Sequence, residues 1–211
     1  HRMSVPIPFY PVSVFFLIVF ASLFPFRKEM LPARPPASKA LGIGYTYDSD
    51  QKIIHTKWDR VARIDVFENR HSQGFFNYFP DLKNKVITID GDAYTLLYNF
   101  PGGKVDISGS LYSTAYHFHE TPEVLVVGLG GGTDIVTALH HNSQSVTGVE
   151  INKAMIEVTK DLYADFIGKP YQDSRVRIVH SEGRSFIRRS PDKYDIIQMS
   201  GVDTWAALST G

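Results

Sequence analysis

A cluster of glycines sits directly behind a short apolar run, in Val124-Leu-Val-Val-Gly128-Leu-Gly130-Gly131-Gly132-Thr-Asp134. Glycine lets a ligand approach the backbone closely, and the helix expected to follow opens with unpaired N–H groups. In dinucleotide enzymes such a turn holds a pyrophosphate and spaces its glycines G-x-G-x-x-G. Here three consecutive glycines replace that spacing, and Thr133 stands at the third-glycine position. A wide, flat loop of this kind suits a ligand without pyrophosphate: the amino-acid tail and ribose of an adenosyl sulfonium, S-adenosylmethionine (SAM) or its decarboxylated form. The expected cofactor contacts are Gly128, Gly130, Gly131, Gly132 and Asp134. Glu150, with Ile151 beside it, ends the next apolar run about 20 residues further on, where an acid can accept from both ribose hydroxyls. Glu182 and Gly183 follow a third run, where an acid can accept from the adenine amino group. Glu182 reads equally as a helix cap. Ser200, Asp203 and Trp205 follow a fourth run and are expected to face the reacting group.

These residues come into register only if strands and helices alternate. Val124–Gly128, Ser145–Ile151, Val176–His180 and Tyr194–Met199 read as strands. Thr133–His141, Lys153–Ile167 and Arg184–Arg189 read as the helices between them. The fold class that follows is α/β, a doubly wound Rossmann-like parallel sheet, with the first strand beside both the second and the fourth. Ligands of such sheets bind outside the carboxyl ends of the strands, where all four motifs fall. Residues 45–119 read differently. Lys52–His55, Arg63–Glu68, Lys85–Asp90 and Tyr94–Tyr98 are strand-like, and Asp90-Gly91 is a hairpin turn signal. We expect a small β-rich domain there, followed by the nucleotide domain over 120–211, C-terminally incomplete.

The chain has 22 Lys plus Arg and 22 Asp plus Glu, which argues against a nucleic-acid partner bound through a broad basic face. It has no cysteine, so disulfides and thiolate chemistry are excluded. His117, His119, Glu120, His140 and His141 are the candidates for a metal, but no third ligand is legible and none is expected. Met3 to Phe26 carries no charge, and Arg27 and Lys28 follow at once. We expect one membrane helix over Val5–Phe26, a Pro-rich linker over 31–44, and a membrane-attached protein whose α/β domain is cytoplasmic by the positive-inside rule. A homo-oligomer is compatible with all of this.

Taken together, the glycine loop, Glu150, Glu182-Gly183-Arg184, Tyr194-Asp195 and the Ile89-Asp90-Gly91 hairpin fall in the order and spacing of the spermidine synthase family. The sequence resembles these polyamine aminopropyltransferases, and their membrane-attached bacterial relatives, from about Trp58 to Gly211. The resemblance implies that decarboxylated SAM donates an aminopropyl group to an amine. It also implies departures. The family's fourth strand ends Asp-x-x-Asp-Pro; here Ser200 holds the first acid's place, Asp203 the second and Thr204 the proline's. Tyr94 aligns with the family's glutamine, Tyr112 is the best match to its Tyr-His-Glu segment, and Glu182 replaces an aspartate. Tyr94, Tyr112 and Trp205 are thus the implied substrate contacts, and Asp203 with Ser200 the implied catalytic pair. Methyl transfer from SAM to an unknown acceptor remains an alternative, as does a non-catalytic, membrane-anchored nucleotide-binding module.

Overall fold

The computed structural model describes residues 10–23, 53–68, 79, 81–100 and 106–202. The chain divides into two compact units, His1–Pro35 and Pro36–Gly211.

In the first unit, α1 spans Tyr10–Leu23, 14 residues. Phe15, Phe16, Leu17, Ile18 and Phe20 are all exposed on it. At 1.5 Å per residue α1 is about 21 Å long, short of the roughly 30 Å of a bilayer's hydrocarbon core. No helix among the described residues is long and apolar enough to cross a membrane. The expected span over Val5–Phe26 is therefore not borne out; its flanks, 5–9 and 24–26, lie outside the described residues.

The second unit holds two four-stranded sheets. The first is an antiparallel meander of β1 (Ile53–Trp58), β2 (Arg63–Glu68), β3 (Asn84–Ile89) and β4 (Ala93–Tyr98). Asp90 and Gly91 turn the β3–β4 hairpin with φ of 53° and 72°, the left-handed geometry that makes Asp-Gly a hairpin signal. The second sheet contains β5 (Glu123–Val127), β6 (Ser145–Glu150), β7 (Val176–His180) and β8 (Ile196–Gln198), ordered β7-β6-β5-β8 and parallel throughout. As expected, β5 lies between β6 and β8, so the strand order reverses beside the glycine loop.

Side-chain alternation divides the faces of this sheet. Val124, Val126, Val146 and Ile196 point into a core shared with Ile135 and Ala138 of α2 (Thr133–His140) and Ala154 and Met155 of α3 (Lys153–Glu157). Leu125, Val127 and Val149 point the other way, against Phe186 of α4 (Gly183–Arg189). The antiparallel sheet joins the first core through Ile64, Val66, Ile87 and Leu97. Its opposite face builds a second core from Phe67, Val86, Leu96, Tyr98 and Phe100.

One element departs from expectation. The single helix expected over Lys153–Ile167 is α-helical only to Glu157; Val158–Leu162 forms a π turn, closed by Tyr163 N–H donating to Val158 O at 2.9 Å. Within it the Thr159 hydroxyl donates back to Met155 O at 2.9 Å and to Ile156 O at 3.3 Å. A side chain that competes for these carbonyls loosens the regular i→i−4 ladder.

Candidate active site

The glycine loop connects β5 to α2 and is wedged between the two sheets. A Cβ on Gly131 would lie 1.9 Å from the Leu96 carbonyl oxygen of β4, so β4 leaves room for nothing larger than glycine. Gly130 faces the Thr95 side chain, Gly132 the Tyr171 hydroxyl, and Gly128 the Val202 side chain. The missing side chains of these glycines make room for protein. The loop is fixed by Gly131 N–H donating to Thr95 Oγ1 at 3.1 Å and by Gly132 N–H donating to Leu129 O at 2.9 Å.

Glu150 is buried at the tip of β6. Its Oε2 accepts from Leu129 N–H of the glycine loop at 2.9 Å, and its Oε1 accepts from Asn152 N–H at 2.8 Å. An ionised carboxylate offers about four lone-pair sites, so each oxygen keeps capacity for a further donor such as a ribose hydroxyl. Ile151 is exposed beside it, and its carbonyl pairs with the His180 ring at 3.0 Å. Glu182 caps α4, accepting from Arg184 N–H at 2.8 Å and Ser185 N–H at 2.7 Å. Bonding from Ser185, then Arg184, holds its carboxyl below the ordinary glutamate range. Gly183 leaves room for Val127 of β5, which a Cβ there would approach to 2.6 Å.

The tip of β8 is built differently. Gln198 Nε2 donates to Asp134 Oδ1 at 2.7 Å, and the Tyr116 hydroxyl donates to Gln198 Oε1 at 2.7 Å. Gln198 Nε2 also lies 3.4 Å from Tyr112 O and 3.3 Å from Ser200 Oγ. Asp134, in the first turn of α2, accepts in addition from the Ser200 side chain and backbone. It is buried, and burial pushes its carboxyl up to about 6 against those hydrogen bonds. Tyr116 lies on the 3-10 segment Leu111–Phe118. Its hydroxyl is pushed well up, by burial first and then by Asp134. Behind it the His141 ring stacks on Tyr116 at 5.0 Å, with His140 and His117 edge-on to His141 at 5.1 and 5.7 Å.

Asp134, Ser200 and Tyr112 thus converge, joined by Gln198 and Tyr116, which sequence reasoning missed. A polar residue inside the apolar Tyr194–Met199 run was the one available signal for Gln198; Tyr116 gave none. Thr95 was likewise missed. Tyr94, next to it on β4, packs against the second core, and the Tyr112 ring stacks on Phe79 at 6.5 Å. Asp203 and Trp205 lie outside the described residues.

A parallel sheet with this strand order, a glycine turn after β5 and an acid at the tip of β6 is the arrangement of a Rossmann-like α/β domain of the methyltransferase type. Comparison with known proteins places it more closely. Residues 109–207 match the spermine/spermidine synthase domain. A polyamine aminopropyltransferase of Clostridium botulinum is 33% identical over 151 residues, covering 71% of this chain and 48% of that protein. Another, from Buchnera aphidicola, is 24% identical over 163 residues, covering 74% and 50%. A spermidine synthase solved with the transition-state analogue AdoDATO superposes with a TM-score of 0.55 at 22% identity, over 73% of this chain and 48% of that one; at that identity the likeness establishes the fold. The match to the spermine/spermidine synthase domain takes in just under half of the chain, and the chain spans about half the length of these relatives.

Proposed function

We propose that the protein is an aminopropyltransferase: it binds decarboxylated SAM across the carboxyl ends of β5–β8 and passes the aminopropyl group to an amine. The observation that carries this reading is Glu150, a buried carboxylate tied to both the glycine loop and the end of β6 at the reversal of strand order. The match of residues 109–207 to the spermine/spermidine synthase domain supports this chemistry. The amine nitrogen's lone pair forms a bond to the carbon beside the sulfonium, the C–S bond breaks with its electron pair going to sulfur, and methylthioadenosine departs. Glu150 would hold the ribose and Glu182 the adenine side. Asp203, Tyr94 and Tyr112 remain proposed acceptor-side residues by their match to the family's pattern, and Trp205 by its place just past the fourth strand.

The test is mass spectrometry of products after incubation with decarboxylated SAM and 1,4-diaminobutane, alongside calorimetry with SAM, decarboxylated SAM, methylthioadenosine and NAD. Aminopropylated amine plus methylthioadenosine is expected. Methyl transfer from SAM in its place would establish the methyltransferase reading. Nucleotide binding with no transfer of either group would establish a non-catalytic module.

We further propose that α1 attaches the protein to a membrane, with the α/β domain on the cytoplasmic side. A helix that is apolar all round finds its match in lipid, and Arg27 and Lys28 follow the apolar run. Membrane fractionation tests this: recovery of the intact chain in the soluble fraction without detergent would sink it.

A further inference from the structure

A neutral serine at the tip of β8 is a poor proton acceptor and carries no charge to hold a cationic amine. The structure supplies both deficits from underneath. Asp134, 5% exposed, accepts hydrogen bonds from the Ser200 side chain and backbone, while Ser200 itself is exposed. We infer that Asp134 is an acid of the acceptor side, working through Ser200, whose outward lone pair receives an N–H of the acceptor amine. This rests on the amine-acceptor reading proposed above, and makes Asp134 a positioning residue in place of the nucleotide contact its motif suggested.

The hydrogen-bond inventory fixes the direction of the chain. A hydroxyl has one proton and two lone pairs. With its proton given to Asp134 and one lone pair facing Gln198 Nε2 at 3.3 Å, Ser200 keeps one lone pair for an incoming N–H. Gln198 cannot turn to offer its oxygen to the carboxylate without breaking its 2.7 Å bonds to Asp134 and from the Tyr116 hydroxyl. The amide therefore holds Asp134 as an acceptor.

The proton balance is simple. An ammonium N–H proton passes to Ser200 Oγ as the Ser200 hydroxyl proton passes to Asp134. The carboxylate becomes a carboxylic acid, Ser200 is unchanged, and the nitrogen is left with the lone pair that attacks carbon. The groups brought against Asp134 are neutral: Gln198 and Ser200 from β8 and its tip, Tyr116 from the 3-10 segment, and Tyr171 from the turn Pro170–Gln172. The His141 ring, held below the usual histidine range by burial and by its neighbours His140 and His117, lies behind Tyr116. A buried carboxyl among neutral dipoles, raised to about 6, accepts a proton better at neutral pH than an ordinary aspartate does.

The test combines carbon-13 NMR titration of Asp134 with calorimetry of 1,4-diaminobutane, at saturating methylthioadenosine from pH 5 to 8. Wild type, Asp134→Asn and Ser200→Ala are compared. Wild-type diamine affinity should fall about tenfold for each pH unit below Asp134's midpoint near 6. Asp134→Asn should weaken diamine binding at pH 8 and flatten the profile while leaving methylthioadenosine affinity unchanged. Ser200→Ala should move the Asp134 midpoint upward, because it removes a hydrogen bond to the charged form. A flat wild-type profile, an unmoved midpoint in Ser200→Ala, or lost methylthioadenosine affinity in Asp134→Asn would each overturn the inference and leave the aminopropyltransferase reading standing. Wild type that binds methylthioadenosine but no diamine at pH 8 would overturn both.

Discussion

The proposed site has two halves, one assigned to the nucleotide and one to the acceptor, and they hold their acids in opposite ways. On the nucleotide half, the carboxylates sit at the strand tips and each takes two backbone N–H bonds: Glu150 from Leu129 and Asn152, Glu182 from Arg184 and Ser185. On the acceptor half, the strand tip carries a hydroxyl, and the acid lies beneath it on α2, held largely by side chains. Backbone partners fix a charge where the fold alone dictates. Side-chain partners make its position and its titration depend on Gln198 and Ser200. The nucleotide half is therefore the rigid one, and the acceptor half the one that pH and substitution should tune.

The largest effect should come from breaking the frame common to both halves. Gly131→Ala puts a Cβ 1.9 Å from Leu96 O and 2.7 Å from Leu96 C, so the backbone of β4 must move. We expect a loss at or above the upper end of the roughly 1–3 kcal/mol that overpacking costs, read as a fall in the chemical-denaturation midpoint. A variant as stable as wild type would show that the sheets are not held together at this loop.

Next is the stability cost of the acceptor half. The Asp134 carboxyl is raised from 3.8 to about 6 in the fold. Between those values the folded protein keeps a proton the unfolded chain has lost, so this group lowers stability as pH rises from about 4 to 6, with no further change above. The full cost is on the order of 3 kcal/mol at pH 7. Asp134→Asn should therefore gain stability relative to wild type as pH rises through that window, in denaturation series at pH 4, 5, 6 and 7.5. A difference that does not vary with pH would mean that Asp134 is not a desolvated charge.

Glu150→Gln sharpens the nucleotide half. An amide cannot accept at both ends, so either Leu129 or Asn152 N–H loses its acceptor, along with a ribose partner. At about 1.5–3 kcal/mol for a hydrogen bond to a charged group, methylthioadenosine should bind at least about tenfold more weakly by calorimetry. An unchanged dissociation constant would put the ribose elsewhere.

What the sequence disclosed follows the same division. Short runs of apolar and β-branched residues located β5, β6 and β7 to within a residue or two, and Asp90-Gly91 located the hairpin, because these signals are local. Asp134 was legible as part of a motif, but the turn of α2 that carries it to β8 depends on tertiary packing. Gln198 joins residues 64 and 82 positions away in sequence, which no spacing rule encodes. The break after Glu157 escaped because Thr159 fits the apolar stripe of a helix while its hydroxyl bonds backward.

The smallest expected effect separates two roles of Glu182. As the cap of α4 it needs only a short acceptor, and Asp is as good at an N-cap as any residue. Glu182→Asp should then keep the amide protons of Arg184 and Ser185 protected in hydrogen exchange, whereas Glu182→Ala should expose them. If capping is the whole role, adenosyl affinity should follow protection: unchanged in the Asp variant, slightly weakened in the Ala variant as the end of α4 loosens. If the carboxylate also accepts from the adenine amino group, the Ala variant should lose more affinity for methylthioadenosine than for a purine analogue lacking that amine. Equal losses for both ligands would leave Glu182 a cap alone and confine the adenosyl-specific carboxylate of this half to Glu150.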